Sequence, residues 1–412
     1  MTPVVEKLGG SVDDWVREHG DQLVSIRRHL HQHPELAFAE FETTSFLEQR
    51  LREVGLQPHR LPGGTGLVVD VGSGDPVIVL RADIDALPIP DLKDVPYSST
   101  RENISHACGH DVHTTVALGV ALALSTLGDL PGRVRIVFQP GEEVIPGGAT
   151  QVVAAGVLEG ASRAFALHCD PSFPAGTIGL RTGAITAACD KIDVHLTGPG
   201  GHTARPQLTV DLVDALGRLI TDIPALLSRQ VDPRAGMSLV WGAVNAGVAA
   251  NAIPQRGSLR GTVRVLDRET WKASEELVRT LVARVASSTG AVVDVDYVRG
   301  LPPVVNDPRA TALMRSAALE TAGTERVVQS PQSMGGEDFG WFADVLPIAL
   351  ARLGTHDGGP PLDLHRGTFD VDEQAIGVGV RFMARTALHG LEADAGQPPQ
   401  KGSSPPPSRT RR

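Results

Sequence analysis

The chain has 412 residues, a length that suggests two domains rather than one simple core. Its formal net charge of −10 argues against a nucleic-acid-binding surface over the bulk of the chain, and its four Trp and two Tyr argue against a surface for stacking sugars or bases. No run is long and apolar enough to span a bilayer, residues 1–20 carry no apolar signal core, and Cys108, Cys169 and Cys189 form no disulfide framework, so a cytoplasmic chain is expected.

Residues 12–32 predict a helix with apolar Trp15, Leu23, Ile26 and Leu30. A second helix spans 40–54 and stops at Gly55. Residues 65–71 and 77–81 predict two strands paired around the turn Gly72-Ser73-Gly74-Asp75, the second leading to Asp83 and Asp85. Next comes His106-Ala107-Cys108-Gly109-His110-Asp111-Val112-His113, ahead of a long apolar helix over 112–127. Thiolate and imidazole are side chains that borderline metals prefer, and Cys108 and His110, two apart on a loop, can point at one ion. Asp111 is placed to cap the helix. The alternative is a buried free cysteine beside two surface histidines.

Residues 134–138 predict a buried strand that stops at Pro140-Gly141, just before Glu142 and Glu143. Adjacent carboxylates repel, and a metal centre gives them separate tasks: one binds an ion while the other moves the proton of the attacking water. A solvated turn is the plain alternative. A short helix over 150–155 and a strand over 164–167 follow, and the strand runs into His168. Apolar runs that each lead to Asp, Glu or His, alternating with helices, predict an α/β fold. Its sheet is mostly parallel and flanked by helices, with the site outside the carboxyl ends of the strands.

Near Gly183 the pattern changes. Residues 191–196 alternate polar and apolar, followed by a helix over 210–227, strands over 238–244 and 256–265, a helix over 269–288 and a strand over 292–298. That order suits one antiparallel sheet under two helices, an inserted α+β domain over 187–299. The first domain, 1–186 and 300–393, resumes with a helix over 308–322, a strand over 348–353 and a helix over 373–388, with His365 in the loop between the last two. Residues 394–412 are mostly Pro, Ser, Gly and Arg and predict a disordered tail.

Five segments in order resemble one known family: Arg27-Arg28-His29-Leu30-His31-Gln32-His33-Pro34-Glu35-Leu36, Leu80-Arg81-Ala82-Asp83-Ile84-Asp85-Ala86-Leu87-Pro88, Cys108 to His113, Phe138 to Glu143, and Gly335-Gly336-Glu337-Asp338-Phe339. They resemble the aminoacylase / carboxypeptidase-G metallopeptidases, in the amidohydrolase branch that includes hippurate hydrolase and the auxin-conjugate hydrolases. The resemblance implies a catalytic domain holding two divalent ions (Mn2+, Zn2+, Co2+ or Ni2+) and an inserted lid domain that makes a homodimer. It implies Cys108, His110, Glu143, His168 and His365 as ligands, Glu142 as general base and acid, and Asp85 as a group orienting a ligand histidine. In the lid it implies His202, within Gly200-Gly201-His202-Thr203-Ala204, on the oxyanion, the alternative being a turn histidine. Asn251 and Arg264 would grip a substrate carboxylate, with a structural ion pair as the alternative for Arg264. Gly335 and Gly336 would offer backbone N–H groups to the same anion. The implied reaction is hydrolysis of N-acyl amino acids, small-molecule substrates, with no nucleic acid or membrane partner. A dipeptidase or a glutamate-releasing carboxypeptidase of the wider family is the alternative, and a non-catalytic metal-binding protein a remote one. The chain departs from the family pattern at Arg366-Gly367, where a small residue and proline are common. It departs again at Cys169, which is either inert packing or an oxidation-sensitive neighbour of His168.

Overall fold

The computed structural model describes residues 3–359 and 362–395. They form two compact units. One holds the described residues up to Gly183, Asn306–Pro331, and those from Trp341 on; the other holds Ala184–Val305 and Gln332–Gly340. The expected insert over 187–299 lies inside the second unit, which also takes in 332–340 and with them Gly335 and Gly336. All but the first two residues of the expected tail over 394–412 lie outside the described residues.

The first unit opens with α1 (Pro3–Gln32) and α2 (Phe41–Glu53). α1 starts well before residue 12, because Val5 continues the buried stripe of Val12, Trp15, Leu23, Ile26 and Leu30 by one more pair of turns. Strands β1 (His59–Arg60), β2 (Leu67–Gly72) and β3 (Val77–Asp83) follow, then α3 (His110–Ser125), β4 (Arg133–Gln139), α4 (Ala149–Ala154), β5 (Ala161–Pro174) and β6 (Ile178–Leu180). The chain then enters the second unit with β7 (Ala188–Thr197), α5 (Leu212–Gln230), β8 (Ser238–Ala246), β9 (Arg256–Val265), α6 (Arg268–Ser287) and β10 (Val292–Leu301). It closes the first unit with α7 (Pro308–Ala322), β11 (Val327–Gln329), β12 (Ile348–His356) and α8 (Gln374–Asp394).

The first unit is built on one eight-stranded sheet in the order β1-β2-β4-β3-β5-β12-β6-β11. β3 runs parallel to β4 and β5, β5 to β12, and β6 to β11; the remaining pairs are antiparallel. α3 lies against β3 and β5, α1 and α8 pack on it and on each other, and α7 packs on α8. The expected hairpin of 65–71 with 77–81 does not form, because β4 lies between β2 and β3, bonded to both. The apolar run Val77-Ile78-Val79-Leu80 is buried along its whole length, and a strand of that kind satisfies its backbone and buries its side chains best with a neighbour on each edge. β2 alternates buried and half-buried residues, as suits a place near the edge.

The second unit is an antiparallel four-stranded sheet, β8-β9-β7-β10, with α5 and α6 packed on it. β7 buries Ile192, Val194 and Leu196 and turns the residues between them outward. Each helix begins at an aspartate whose side chain takes backbone N–H groups: Asp211 those of Val213 and Asp214, and Asp267 that of Thr270.

Candidate active site

Two loops of the first unit converge, the connection from β3 to α3 and the one that follows β4. β3 ends at Asp83, and Ile84 N–H donates to Gln139 O at the end of β4, so the loops carrying Asp85 and Glu142 leave the sheet side by side. The β3–α3 connection reaches α3 through Gly109, whose φ of 87° is open to glycine and strained for other residues. A Cβ there would also lie 2.9 Å from Cys169 Sγ. The helix starts at His110, so Asp111 is inside it rather than at its cap. The Asp111 carboxylate instead accepts from Arg27 Nε at 2.8 Å and lies 2.7 Å from His31 Nδ1, all three side chains fully buried. β5 does not stop before His168, as expected, but runs on to Pro174, because it is bonded to β12 well past that residue, with His168 opposite Arg352.

The donor atoms gather in overlapping groups whose members lie within 4.8 Å of one another: Cys108, His110 and His168; Cys108, Glu143 and His365; and His110, Glu142 and Glu143. All five expected ligands and the expected base are thus in one cluster. Cys108 Sγ is 3.5 Å from His168 Nε2, and Glu143 Oε1 is 3.7 Å from His110 Nε2 and 3.5 Å from His365 Nε2. Two ligands each about 2.1 Å from one ion stand roughly 3 to 3.5 Å apart, so these spacings are close to those of shared coordination, and the two to Glu143 are too long for good hydrogen bonds.

The ring partners choose the tautomers. His110 Nδ1 lies 2.9 Å from the Asp85 carbonyl and 3.3 Å from Asp85 Oδ1, and His168 Nδ1 lies 2.7 Å from the Cys169 carbonyl. A proton on each Nδ1 leaves the Nε2 lone pair pointing into the cluster, the arrangement a metal-ligating histidine needs. Asp85 also accepts the Glu143 N–H through Oδ2 at 2.9 Å. His110 Nε2 and Glu143 Oε1 are buried and have no hydrogen-bond partner among the described residues. Such atoms are costly unless a cation or proton satisfies them, so the residues present fit a divalent ion.

The electrostatics point the same way. Burial pushes the Cys108 thiol well up and raises the Glu143 carboxyl, against the metal-binding forms of both. Burial, aided by Arg352, holds His168 well below the ordinary imidazole value. Burial lowers His110, but its partners, the Asp83 charge foremost, outweigh it and hold His110 well above that value. A cluster that must ionise a buried thiol and carboxylate together calls for positive charge among them.

Two side chains at the site had no role assigned from the sequence. His113 lies 2.6 Å from Asp83 Oδ1 through Nδ1 and accepts the Cys169 N–H through Nε2 at 2.8 Å. Asp83 in turn accepts from Arg81 at 2.8 Å. With both ring nitrogens engaged, His113 holds β5 against α3. The signal available was the i,i+3 spacing from His110, which puts both rings on one helix face. Cys169 is fully buried and its thiol is pushed well up by burial, the setting of an inert cysteine.

The other expected site residues lie on the second unit. His202 pairs with Ala252 in a two-residue ribbon, and its Nδ1 accepts the Ala204 N–H at 3.0 Å. Asn251 adjoins that ribbon, its carbonyl accepting the Thr203 N–H. Arg264 donates to the Met334 carbonyl at 2.8 Å, a main-chain partner rather than the carboxylate of an ion pair. The Gly335 N–H is taken by Ser333 Oγ at 3.0 Å, which leaves it engaged rather than bare for an anion.

Residues 79–389 match the model of peptidase family M20/M25/M40. The chain is 38% identical over 376 residues to the N-acetyl-L-cysteine deacetylase of Bacillus subtilis, covering 90% of this chain and 89% of that protein. It is 46% identical over 378 residues to a Rhodococcus jostii protein named as a putative glutamate–cysteine ligase 2-3, covering 91% of this chain but only 47% of that longer one, so it spans about half the length of that relative. Among solved structures, a dinuclear metal-binding M20 peptidase from Bacillus subtilis superposes with a TM-score of 0.81 at 33% identity, covering 91% of this chain and 99% of that one. The chain belongs to peptidase family M20/M25/M40, and its fold and donor set are those of a metal-dependent hydrolase of amide bonds. No helix among the described residues is long and apolar enough to cross a membrane.

Proposed function

We propose that this protein hydrolyses the amide bond of N-acyl amino acids, releasing a carboxylic acid and an amino acid. The reading is carried by the buried, unpartnered Nε2 of His110 and Oε1 of Glu143 inside a five-residue donor cluster with Glu142 beside it. Cys108, His110, Glu143, His168 and His365 would hold two divalent ions; Mn2+, Zn2+, Co2+ and Ni2+ all suit this donor set. When bound, such ions polarise the amide carbonyl and lower the pKa of water.

Glu142 takes a proton from the attacking water as its oxygen adds to the amide carbon, then delivers that proton to the leaving nitrogen as the C–N bond breaks. The near-complete burial of Glu142 strengthens its interactions with the developing charge. Asp85 keeps His110 in the ligating tautomer and fixes the Glu143 backbone. On the second unit, His202 is assigned to the oxyanion, and Asn251, Arg264 and the backbone N–H of Gly336 to the substrate carboxylate, the Gly335 N–H being already engaged by Ser333. The second unit serves as lid and homodimer contact, and the protein works in the cytoplasm. The name of the Bacillus subtilis deacetylase makes N-acetylcysteine a first substrate to try.

The test is a panel of N-acyl amino acids, N-acetylcysteine and hippurate included, beside unblocked dipeptides and N-acyl glutamates, after reconstitution with each ion. Faster turnover of the dipeptides would move the assignment to a dipeptidase, and metal-replete protein inert on the whole panel would remove the catalytic reading. Glu142→Gln should lose at least about a hundredfold in kcat at unchanged metal content, and full activity would dismiss Glu142 as the base.

A further inference from the structure

We propose that Glu40 is a positioning residue whose buried carboxyl, through the backbone of Gly141, sets where Glu142 stands. The inference rests on the reading of Glu142 as the base. Glu40 is fully buried at the residue just before α2, yet its side chain makes no cap hydrogen bond to that helix. The helix start is served instead by Glu35, which accepts the N–H groups of Glu42 and Thr43. Glu40 Oε1 reaches across the sheet end and accepts the Gly141 N–H at 2.8 Å.

Gly141 is the residue before Glu142 and is held on every side. Its carbonyl accepts the Gly148 N–H at 2.9 Å. Its φ is 65°, and a Cβ on it would lie 2.6 Å from the Phe38 ring. Phe38 itself has φ of 62°, a conformation costly for a bulky residue and maintained only where the surroundings over-determine it. The same segment grips the neighbouring loop, since Leu36 bridges to Ala86 and the Glu35 carbonyl accepts the Ala86 N–H at 2.8 Å. Asp85 then closes the ring by accepting the Glu143 N–H. Residues 35–40 therefore brace both loops of the donor cluster, and Glu40 supplies the side-chain bond to the residue just before the base.

Glu40 Oε2 is buried with no hydrogen-bond partner among the described residues. Burial, with the Asp85 charge adding to it, pushes the Glu40 carboxyl up to about 7, so the pocket accommodates a neutral group. An amide of the same shape would keep the bond to Gly141, and an apolar side chain of similar volume would lose it.

The experiment compares Glu40→Gln with Glu40→Met in the metal-loaded protein on the best amide substrate. It reads kcat, KM, metal content and hydrogen exchange of the peptide over 138–148. The Met variant should lose about thirtyfold or more in kcat, with KM within about threefold, unchanged metal content and faster exchange of that peptide. The Gln variant should stay within about threefold of wild type in every readout. Should the Met variant not accumulate folded, Glu40→Asp, too short to reach Gly141, takes its place. A Met variant with wild-type kcat and exchange, a Gln variant as impaired as Met, or a loss confined to KM would overturn the proposal. An inert wild type would sink the amidohydrolase reading instead, and the exchange comparison would still decide whether Glu40 holds the loop.

Discussion

Replacing Asp85 by alanine probes how much of the ion affinity is built outside the ligands themselves. Its carboxylate makes two contacts: Oδ2 accepts the Glu143 N–H at 2.9 Å, and Oδ1 lies 3.3 Å from His110 Nδ1. A hydrogen bond to a charged group contributes about 1.5–3 kcal/mol, and the longer contact falls near the bottom of that range or below it. His110 also keeps the Asp85 carbonyl at 2.9 Å, which alanine retains, so its tautomer survives. The loss therefore falls mainly on Glu143 and amounts to about 2–3 kcal/mol. At about 1.4 kcal/mol per decade that is roughly 30- to 140-fold weaker ion binding, near the upper end of what removing such supports costs elsewhere. Competition against a chromogenic chelator at fixed pH reads it directly, and kcat at saturating metal should fall far less. Asp85→Asn keeps a carbonyl for the Glu143 N–H and should recover most of the affinity. An alanine variant within about threefold of wild type would refute the reasoning, and an asparagine variant as weak as alanine would show that charge, not the bond, is what matters.

Three further outcomes are expected. Cys108→Ala should lower the metal stoichiometry and shrink the thermal shift that metal gives over chelator, because that shift follows from binding to the folded state alone; an unchanged stoichiometry would take Cys108 out of the ligand set. Arg27→Met should destabilise by about 3–5 kcal/mol, because it removes the guanidinium from the fully buried Asp111 carboxylate, leaving His31 as its only side-chain partner among the described residues, and takes partners from Asp370 and Glu373; a denaturant midpoint equal to wild type would contradict this. Asp394→Asn should cost about 1–3 kcal/mol at neutral pH by weakening the paired bonds from Arg163. Burial opposes the Asp394 charge, but the Arg163 bonds hold its pKa below the ordinary carboxylate value, so its contribution is present above about pH 4 and disappears as pH falls through the depressed value. Denaturation of the two proteins between pH 7 and 3 should converge at the acid end, and a gap that widens there would contradict the assignment.

The chemistry of the cluster was legible in the sequence because its signals are local. Cys108 beside His110, and Glu142 beside Glu143, each sit in a few residues at the end of an apolar run or the start of a helix, and the alternation of runs and helices forecasts the strand ends on which they meet. The antiparallel second unit was legible for the same reason, in the period-two pattern of residues 191–196. Which strands become neighbours was not. Residues 65–71 and 77–81 look like a hairpin, and only burial of Val77 to Leu80 from both sides, with β4 between the two strands, decides otherwise. Asp111 has the spacing of a helix cap, yet Arg27 and His31, far away in the chain, claim its carboxylate. The acceptor for the Gly141 N–H is likewise Glu40, from a different helix start. Short-range pattern depends on the backbone's own periodicity and is written in neighbouring residues. Pairing and hydrogen-bond satisfaction depend on which buried groups the folded chain brings together, and that is settled only in three dimensions.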